Sequence, residues 1–134
     1  MKHLISVSIL KTLLSSNSDS NALYKRLESY IQNNHKLYST ALSIFEIIQG
    51  KTFANEKDQK EYLNQSGILY DEIFPVTNDD LKLYSQISQD LGGEGLEGIE
   101  ICVAINKNMD SLITWKGQTK PSKWMKVIDL SSEL

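Results

Sequence analysis

Five short runs of apolar and β-branched residues are separated along the chain by segments with helical periodicity. Between the first two runs, for example, Leu23, Leu27 and Ile31 recur at the spacing of one helix face. Strands that alternate with helices form βαβ units and therefore a parallel sheet. The sequence thus predicts a three-layer α/β/α fold around a mainly parallel five-stranded sheet, with strands at residues 4–7, 36–39, 73–76, 111–114 and 126–130.

Length and charge fit one domain over residues 1–134. This length suffices for one hydrophobic core and is short for two ordinary domains, and the chain contains neither an internal repeat nor a low-complexity tract. The net charge of −3 argues against a protein that holds nucleic acid by bulk charge alone, although it leaves a local basic patch open.

Cysteine content and hydropathy bear on location. Cys102 is the single cysteine and lies in an apolar run, so it supplies neither a disulfide framework nor a zinc quartet, and we expect a reducing cytoplasm. The apolar stretch 4–14 is interrupted by Lys11 and by serines, so we do not interpret it as a signal peptide. No run reaches the roughly 18 apolar residues of a membrane span, and we expect no membrane partner.

Three acidic residues lie inside apolar helical segments. In a parallel sheet the functional crevice lies at the carboxyl ends of the strands, which draws attention to Ser6 and Thr114 there. A charge in an apolar segment is paired, bound to a metal or directed into a cleft, and this applies to Glu46, Glu97 and Glu100. Plainer interpretations stay open, because Glu97 also suits a helix N-terminus and Glu46 also suits a solvated helix face.

Four blocks of sequence have a fitting order, spacing and expected secondary structure. They are residues 5–10 with Ser6, residues 40–50 with Thr40, Ser43 and Glu46, residues 95–104 with Glu97, and residues 112–116 with Thr114 and Lys116. Together they resemble the PIN domain family, the fold of VapC-type toxin ribonucleases, along nearly the whole chain. The resemblance implies RNA as the substrate, an antitoxin-like protein as a partner, and a homodimer.

The resemblance also implies that carboxylates at the strand ends hold Mg²⁺ or Mn²⁺, which activates water for attack on RNA. The candidate catalytic residues are then Ser6, Glu46, Glu97, Thr114 and Lys116, and the candidate metal ligands are Glu46, Glu97 and Glu100. The family has acidic or amide residues where Ser6 and Lys116 stand. The formal charges of Glu46, Glu97 and Lys116 add to −1, or to −2 with Glu100, so we expect metal binding and RNA cleavage to be weak or lost.

Two functions remain open at this point. One is a ribonuclease with an altered site; the other is a non-catalytic PIN-like domain that binds RNA or a protein partner. Lys116 could serve as a structural cation beside Glu46 or Glu97. Lysines alternate with tryptophans near the end of the chain; these residues are Lys116, Lys120, Lys123 and Lys126 with Trp115 and Trp124. Such a segment could bind single-stranded RNA by charge and stacking, or it could be a solvated loop.

Three other features of the sequence give weaker indications of function. A receiver-like α/β domain needs an acid cluster after the first strand and an Asp at the end of the third, and neither Ser6 nor the region of Pro75 provides them. His3 and His35 have no partner at metal-ligand spacing, so we assign neither a function. Residues 92–95 predict a flexible turn rather than a phosphate-binding loop.

Overall fold

The computed structural model describes residues 1–15, 18–50, 53–91 and 95–133. Its five strands are β1 (Lys2–Ile5), β2 (Lys36–Thr40), β3 (Glu72–Phe74), β4 (Ser111–Thr114) and β5 (Val127–Asp129). They form one sheet in the order β3-β2-β1-β4-β5, and every neighbouring pair is parallel. The predicted α/β fold with a five-stranded sheet is confirmed.

Residues 115–126 join β4 to β5 without a helix, whereas the other successive strands are connected by helices. They are α1 (Val7–Leu14), α2 (Ser18–Gln32), α3 (Ala41–Gly50), α4 (Glu56–Leu69), α5 (Asn78–Leu91) and α6 (Leu96–Asn106), and a 3₁₀ helix (Leu130–Glu133) follows β5. Within the described ranges, each helix is too short or too polar to cross a membrane. The turn predicted at residues 92–95 lies mostly outside the described residues, since only Gly95 is described.

Both faces of the sheet are covered by apolar residues. Successive strand residues point to opposite faces. Leu4 and Leu112 therefore belong to a cluster with α5 and α6, whereas Ile5 and Ile113 belong to a cluster with α1, α2 and α3. The prediction that α6 is buried is confirmed over residues 98–104.

The first strand begins and ends two residues earlier than the predicted range 4–7. It ends at Ile5, because Ser6 is the N-cap of α1 and its Oγ accepts a hydrogen bond from the backbone N–H of Ser8 at 3.4 Å. Thr40 caps α3 as expected, since its Oγ1 accepts from the backbone N–H of Ser43 at 3.0 Å. The helix α2 begins at Ser18, and Asp19 lies in its first turn, where the helix dipole favours an acid.

A capping box begins α5. The backbone N–H of Thr77 donates to Asp80 Oδ2 at 2.8 Å, which is the reciprocal bond of a capping box. Asn106 Nδ2 also donates to the Asp80 carboxylate, at 2.8 Å. The buried Asp80 side chain therefore joins the start of α5 to the end of α6.

Candidate functional site

The carboxyl edge of the sheet, where the parallel strands end, brings together polar side chains from distant parts of the sequence. Ser6 follows β1, Thr40 ends β2 and Thr114 ends β4, and all three are at most 1% exposed. Ser6 and Thr40 each cap the helix that follows, so the local cap geometry points their hydroxyls into this edge.

Glu100 on α6 is the buried acid at this edge, with a side chain that is 0% exposed. Its Oε1 accepts a hydrogen bond from Ser6 Oγ at 2.9 Å. Its Oε2 accepts from Ser43 Oγ at 2.6 Å and from the backbone N–H of Val7, in the first turn of α1, at 2.8 Å. Both carboxylate oxygens are therefore engaged by donors of the protein itself.

Burial governs the charge of Glu100. Loss of water raises the pKa of this carboxyl, the hydrogen bonds from Ser43, Ser6 and Val7 lower it, and the nearby Glu97 raises it slightly; the result is a pKa of about 7. The carboxyl therefore exchanges its proton near neutral pH. Perturbed titration in a polar cluster marks a candidate functional group.

A hydroxyl network, formed by Thr40, Ser43, Ser6, Ser8 and Thr114, surrounds Glu100. Thr40 Oγ1 lies 2.7 Å from Ser43 Oγ, Ser8 Oγ donates to Ser6 Oγ at 3.3 Å, and Ser8 Oγ lies 3.2 Å from Thr114 Oγ1. Because Ser43 and Ser6 donate to the carboxylate, the hydroxyls behind them are free to donate in the same direction. The network is thus oriented towards one acceptor.

Glu46 and Glu97 take a different position from Glu100. Both are half-buried, and neither donates to nor accepts from the hydroxyl network. Gln49 Nε2 donates to Glu46 at 3.4 Å, which is a local contact within α3. Glu97 lies in the first turn of α6, where the helix dipole favours an acid, and its charge acts on Glu100 through space.

The orientation of α3 explains why Glu46 does not reach the hydroxyl network around Glu100. Leu42, Phe45 and Ile48 recur at helical spacing along α3, but Leu42 and Phe45 are exposed, and the buried residues are Ser43, Ile44 and Ile47. This rotation of the helix is the one in which Ser43 bonds to Glu100 while Ile44 and Ile47 pack in the core.

Lys116 lies at the end of β4 but turns away from the glutamates. Its Nζ forms an ion pair with Asp19 Oδ2 at 3.0 Å, so the expected pairing with Glu46 or Glu97 is not formed. Its backbone has a φ of +49°, a conformation that favours Gly, Asn or Asp over Lys. The backbone N–H of Lys116 donates to Asp129 Oδ1 at 3.1 Å, and Gly117 N–H donates to Asp129 Oδ2 at 2.8 Å.

Asp129 is a residue of this edge that sequence reasoning missed. Burial raises the pKa of its carboxyl, but the hydrogen bonds from Ser131, Gly117 and Lys116 outweigh burial, so the pKa is lowered overall. An ionised Asp129 therefore holds the turn after β4 against the 3₁₀ helix. An Asp before a Ser two positions later is a faint signal of a local turn, but no local pattern indicates its bonds to residues 116 and 117.

The lysine and tryptophan segment divides between two places. Trp115 is buried at 4% exposure, whereas Trp124 is 42% exposed with Lys123 Nζ 5.1 Å from its ring centroid. Lys116 follows β4 at the carboxyl edge, but Lys126 directly precedes β5 and therefore lies at the opposite edge. The lysines of the segment are exposed, and Trp124 is its exposed tryptophan, with Lys123 beside it.

The donor set does not fit a Mg²⁺ or Mn²⁺ site of the kind that the resemblance implies. Such a site needs several ionised oxygens with free lone pairs. At this edge Ser6 brings no charge, Lys116 brings a positive one, and the oxygens of Glu100 already accept bonds from three donors. Among the described residues, no three His, Cys, Asp or Glu side chains are grouped to hold a metal ion.

A cavity of about 490 Å³ lies apart from this edge, between α1, α2 and α4. Its described lining contains no charged side chain. Leu14, Tyr24 and Ile68 belong to this lining and are exposed, with Ile68 exposed by 86%. The cavity is therefore an apolar surface that is open to solvent.

Comparison with known proteins leaves the site to be interpreted from its own geometry. No protein-family model matches the chain, and no curated protein matches it significantly.

Proposed function

We propose that the chain is a PIN-like domain of the VapC type, in the cytoplasm, whose metal site is depleted so that RNA cleavage is weak or lost. The observation that supports this proposal most is the set of hydrogen bonds accepted by the Glu100 carboxylate. Glu100 is a buried carboxylate at the carboxyl edge, but its oxygens are satisfied by Ser6, Ser43 and the backbone of Val7 rather than left open for a cation.

The parallel five-stranded sheet supports the same proposal, because the resemblance implies such a sheet with its site at the carboxyl edge. Three positions depart from the family pattern: Glu97 stands for an Asp and keeps the charge, whereas Ser6 and Lys116, which do not, both lie at this edge. Ser6 is committed to Glu100, and Lys116 is committed to Asp19. No step through a metal ion follows from such an arrangement.

The test is an RNA cleavage assay with Mg²⁺ or Mn²⁺ on the wild type and on Glu46→Gln. We expect little cleavage from the wild type and no change in the variant, because Glu46 has only a local partner. Glu61→Gln, on the polar helix α4, is the matched control for loss of one carboxylate. Strong metal-dependent cleavage that disappears in Glu46→Gln alone contradicts the proposal.

A second candidate is a non-catalytic domain that binds single-stranded RNA. The exposed indole of Trp124 beside Lys123 favours it, since aromatic stacking and a cation are the usual means of holding unpaired bases. Titration with an oligonucleotide should quench Trp124, and Trp124→Phe should remove the quenching while the buried Trp115 still reports on the fold. Unchanged fluorescence at low salt would count against this candidate.

A protein partner of the antitoxin type and a homodimer belong to the same proposal. The apolar cavity between α1, α2 and α4 supports a protein partner, because exposed apolar residues surround it. Sedimentation of the isolated chain tests the homodimer, and a monomer at all concentrations would contradict that part.

A further inference from the structure

The amino edge of the sheet, where the strands begin, holds a second buried titratable group. His3 on β1 is 1% exposed. Its Nε2 lies 2.7 Å from Nδ1 of His35, and its Nδ1 lies within hydrogen-bond distance of Ser111 Oγ. These partners come from the residue before β2 and from the first residue of β4, so the contacts span three neighbouring strands.

Aromatic packing reinforces this arrangement. The rings of His3 and His35 are inclined by 23° with centroids 4.9 Å apart, as their hydrogen bond requires, and Tyr30 of α2 packs edge-on against both at 5.1 Å. The backbone N–H of His35 donates to the carbonyl of Tyr30 at 3.0 Å. We call the four residues His3, His35, Tyr30 and Ser111 the histidine clasp, because they join the end of α2 to β1, β2 and β4.

The hydrogen bond between His3 and His35 limits how many protons the two facing nitrogens can carry. A hydrogen bond between two imidazole nitrogens needs one N–H and one lone pair, so it forms when at least one of the facing nitrogens is unprotonated. When both His3 Nε2 and His35 Nδ1 carry protons, no acceptor remains and two like charges face each other at 2.7 Å.

The surroundings oppose a charge on His3. Burial is the largest cause, followed by the facing His35, the amino group of Met1 and Lys126, while Asp110 acts in the other direction; together they lower the pKa of His3 to about 4. Tyr30 and Ser111 complete the contacts and carry no charge near neutral pH.

We propose that the histidine clasp is an acid-sensitive tie, which holds the turn between α2 and β2 against the sheet while His3 is neutral and releases it when both imidazoles are protonated. The proposal is independent of the proposed function, because the clasp lies at the opposite edge of the sheet from Glu100. Release breaks the contact of His35 with β1 and frees the turn that contains Asn34, whose φ is +65°.

The test is a pH titration of the full chain by nuclear magnetic resonance, following the imidazole nitrogens and the exchange of backbone amides. We expect His3 to stay neutral well below pH 6. We also expect its protonation to coincide with loss of protection at the amides of His35 and Lys36, which donate to Tyr30 and Met1. The amide of Leu112, bonded to Lys126 inside the sheet, should stay protected at that point.

Two results would overturn the proposal. One is protonation of His3 near pH 6.5 without any change at the amides of His35 and Lys36. The other is simultaneous loss of protection at Leu112, because that is unfolding of the whole domain rather than release of a turn.

A variant sharpens the test. His35→Asn places an uncharged amide near the position of Nδ1, and its oxygen accepts from a protonated His3. We expect loss of protection at Lys36 to shift to a lower pH by at least about one unit. An unchanged midpoint in a folded variant contradicts the proposal, and if the variant does not fold, the wild-type titration decides alone.

Discussion

β1 has a buried titratable group near each of its ends, and the two groups differ in the partners that the fold provides. At the carboxyl edge Glu100 meets donors only, namely two serine hydroxyls and the N–H of Val7. At the amino edge His3 meets His35, a partner that can donate or accept. Burial opposes charge on both groups, but only Glu100 has hydrogen-bond donors that stabilise its charged form.

The donors at the carboxyl edge follow from the topology. Parallel strands end where the next helices begin, so helix N-termini and cap hydroxyls collect at this edge. Such an edge suits an anion. The amino edge collects helix C-termini instead, and there burial, followed by the facing His35, disfavours a charge on His3.

The largest effect should come from removing the Glu100 carboxylate. Glu100→Ala leaves Ser6, Ser43 and the N–H of Val7 without an acceptor in a buried place, so we expect a loss of about 3–4 kcal/mol in the free energy of unfolding. Glu100→Gln keeps one acceptor oxygen and should lose about half of that. Denaturant unfolding measures both, with Glu61→Ala as the exposed control; equal values for Glu61→Ala and Glu100→Ala would refute the account of this edge.

The second-largest effect should be on the pH dependence of stability, to which Glu100 and His3 contribute with opposite signs. The pKa of Glu100 is about 7 in the folded state against 4.5 ordinarily, so its stabilising contribution is full below pH 4.5 and is lost as pH rises through 7. The pKa of His3 is about 4 against 6.5, so its contribution is full above pH 6.5 and is lost as pH falls through 4. Each amounts to up to about 3 kcal/mol.

These contributions oppose each other, so the wild type should show nearly constant stability between pH 4.5 and 6.5. In Glu100→Gln the histidine contribution remains alone, and stability should rise with pH over this range. In His3→Gln the carboxyl contribution remains alone, and stability should fall with rising pH. Unfolding curves at several pH values test this, and parallel profiles for the two variants would contradict it.

The smallest effect concerns Lys116. Its exposed pair with Asp19 is worth at most about 1 kcal/mol, so Lys116→Gln should change stability little, and less still at high salt. Lys116→Asn removes the same charge but suits the φ of +49°, so it should be more stable than Lys116→Gln by a few tenths to about 1 kcal/mol. Equal stabilities would show that the backbone conformation at this position is not strained by lysine.

The fold was accessible from the sequence because alternating strand and helix patterns leave few topologies. The site was accessible only in part. Glu97 and Glu100 share a helix face in the sequence pattern, and the packing of α6 decides that Glu100 receives the bonds from Ser6 and Ser43. The helical spacing of Leu42, Phe45 and Ile48 also indicates a different face of α3 from the buried one, which carries Ile44 and Ile47 beside Ser43.

The contacts that could not be predicted from the sequence join residues that are far apart along the chain. Lys116 and Asp19 are 97 positions apart, and no local pattern connects them. His3 and His35 meet because parallel pairing sets the register of β1 beside β2, with His3 opposite Leu37. Sequence spacing alone gave the two histidines no reason to be neighbours.

The central claim is that the carboxyl edge satisfies Glu100 with its own hydroxyls instead of a divalent metal ion. Calorimetric titration with Mn²⁺ tests it most directly, on the wild type and on the double variant Ser6→Asp with Lys116→Asp. We expect no tight binding by the wild type and measurable affinity in the folded double variant, which regains two carboxylates at this edge. Low-micromolar Mn²⁺ binding by the wild type that is lost in Glu100→Gln would contradict the claim.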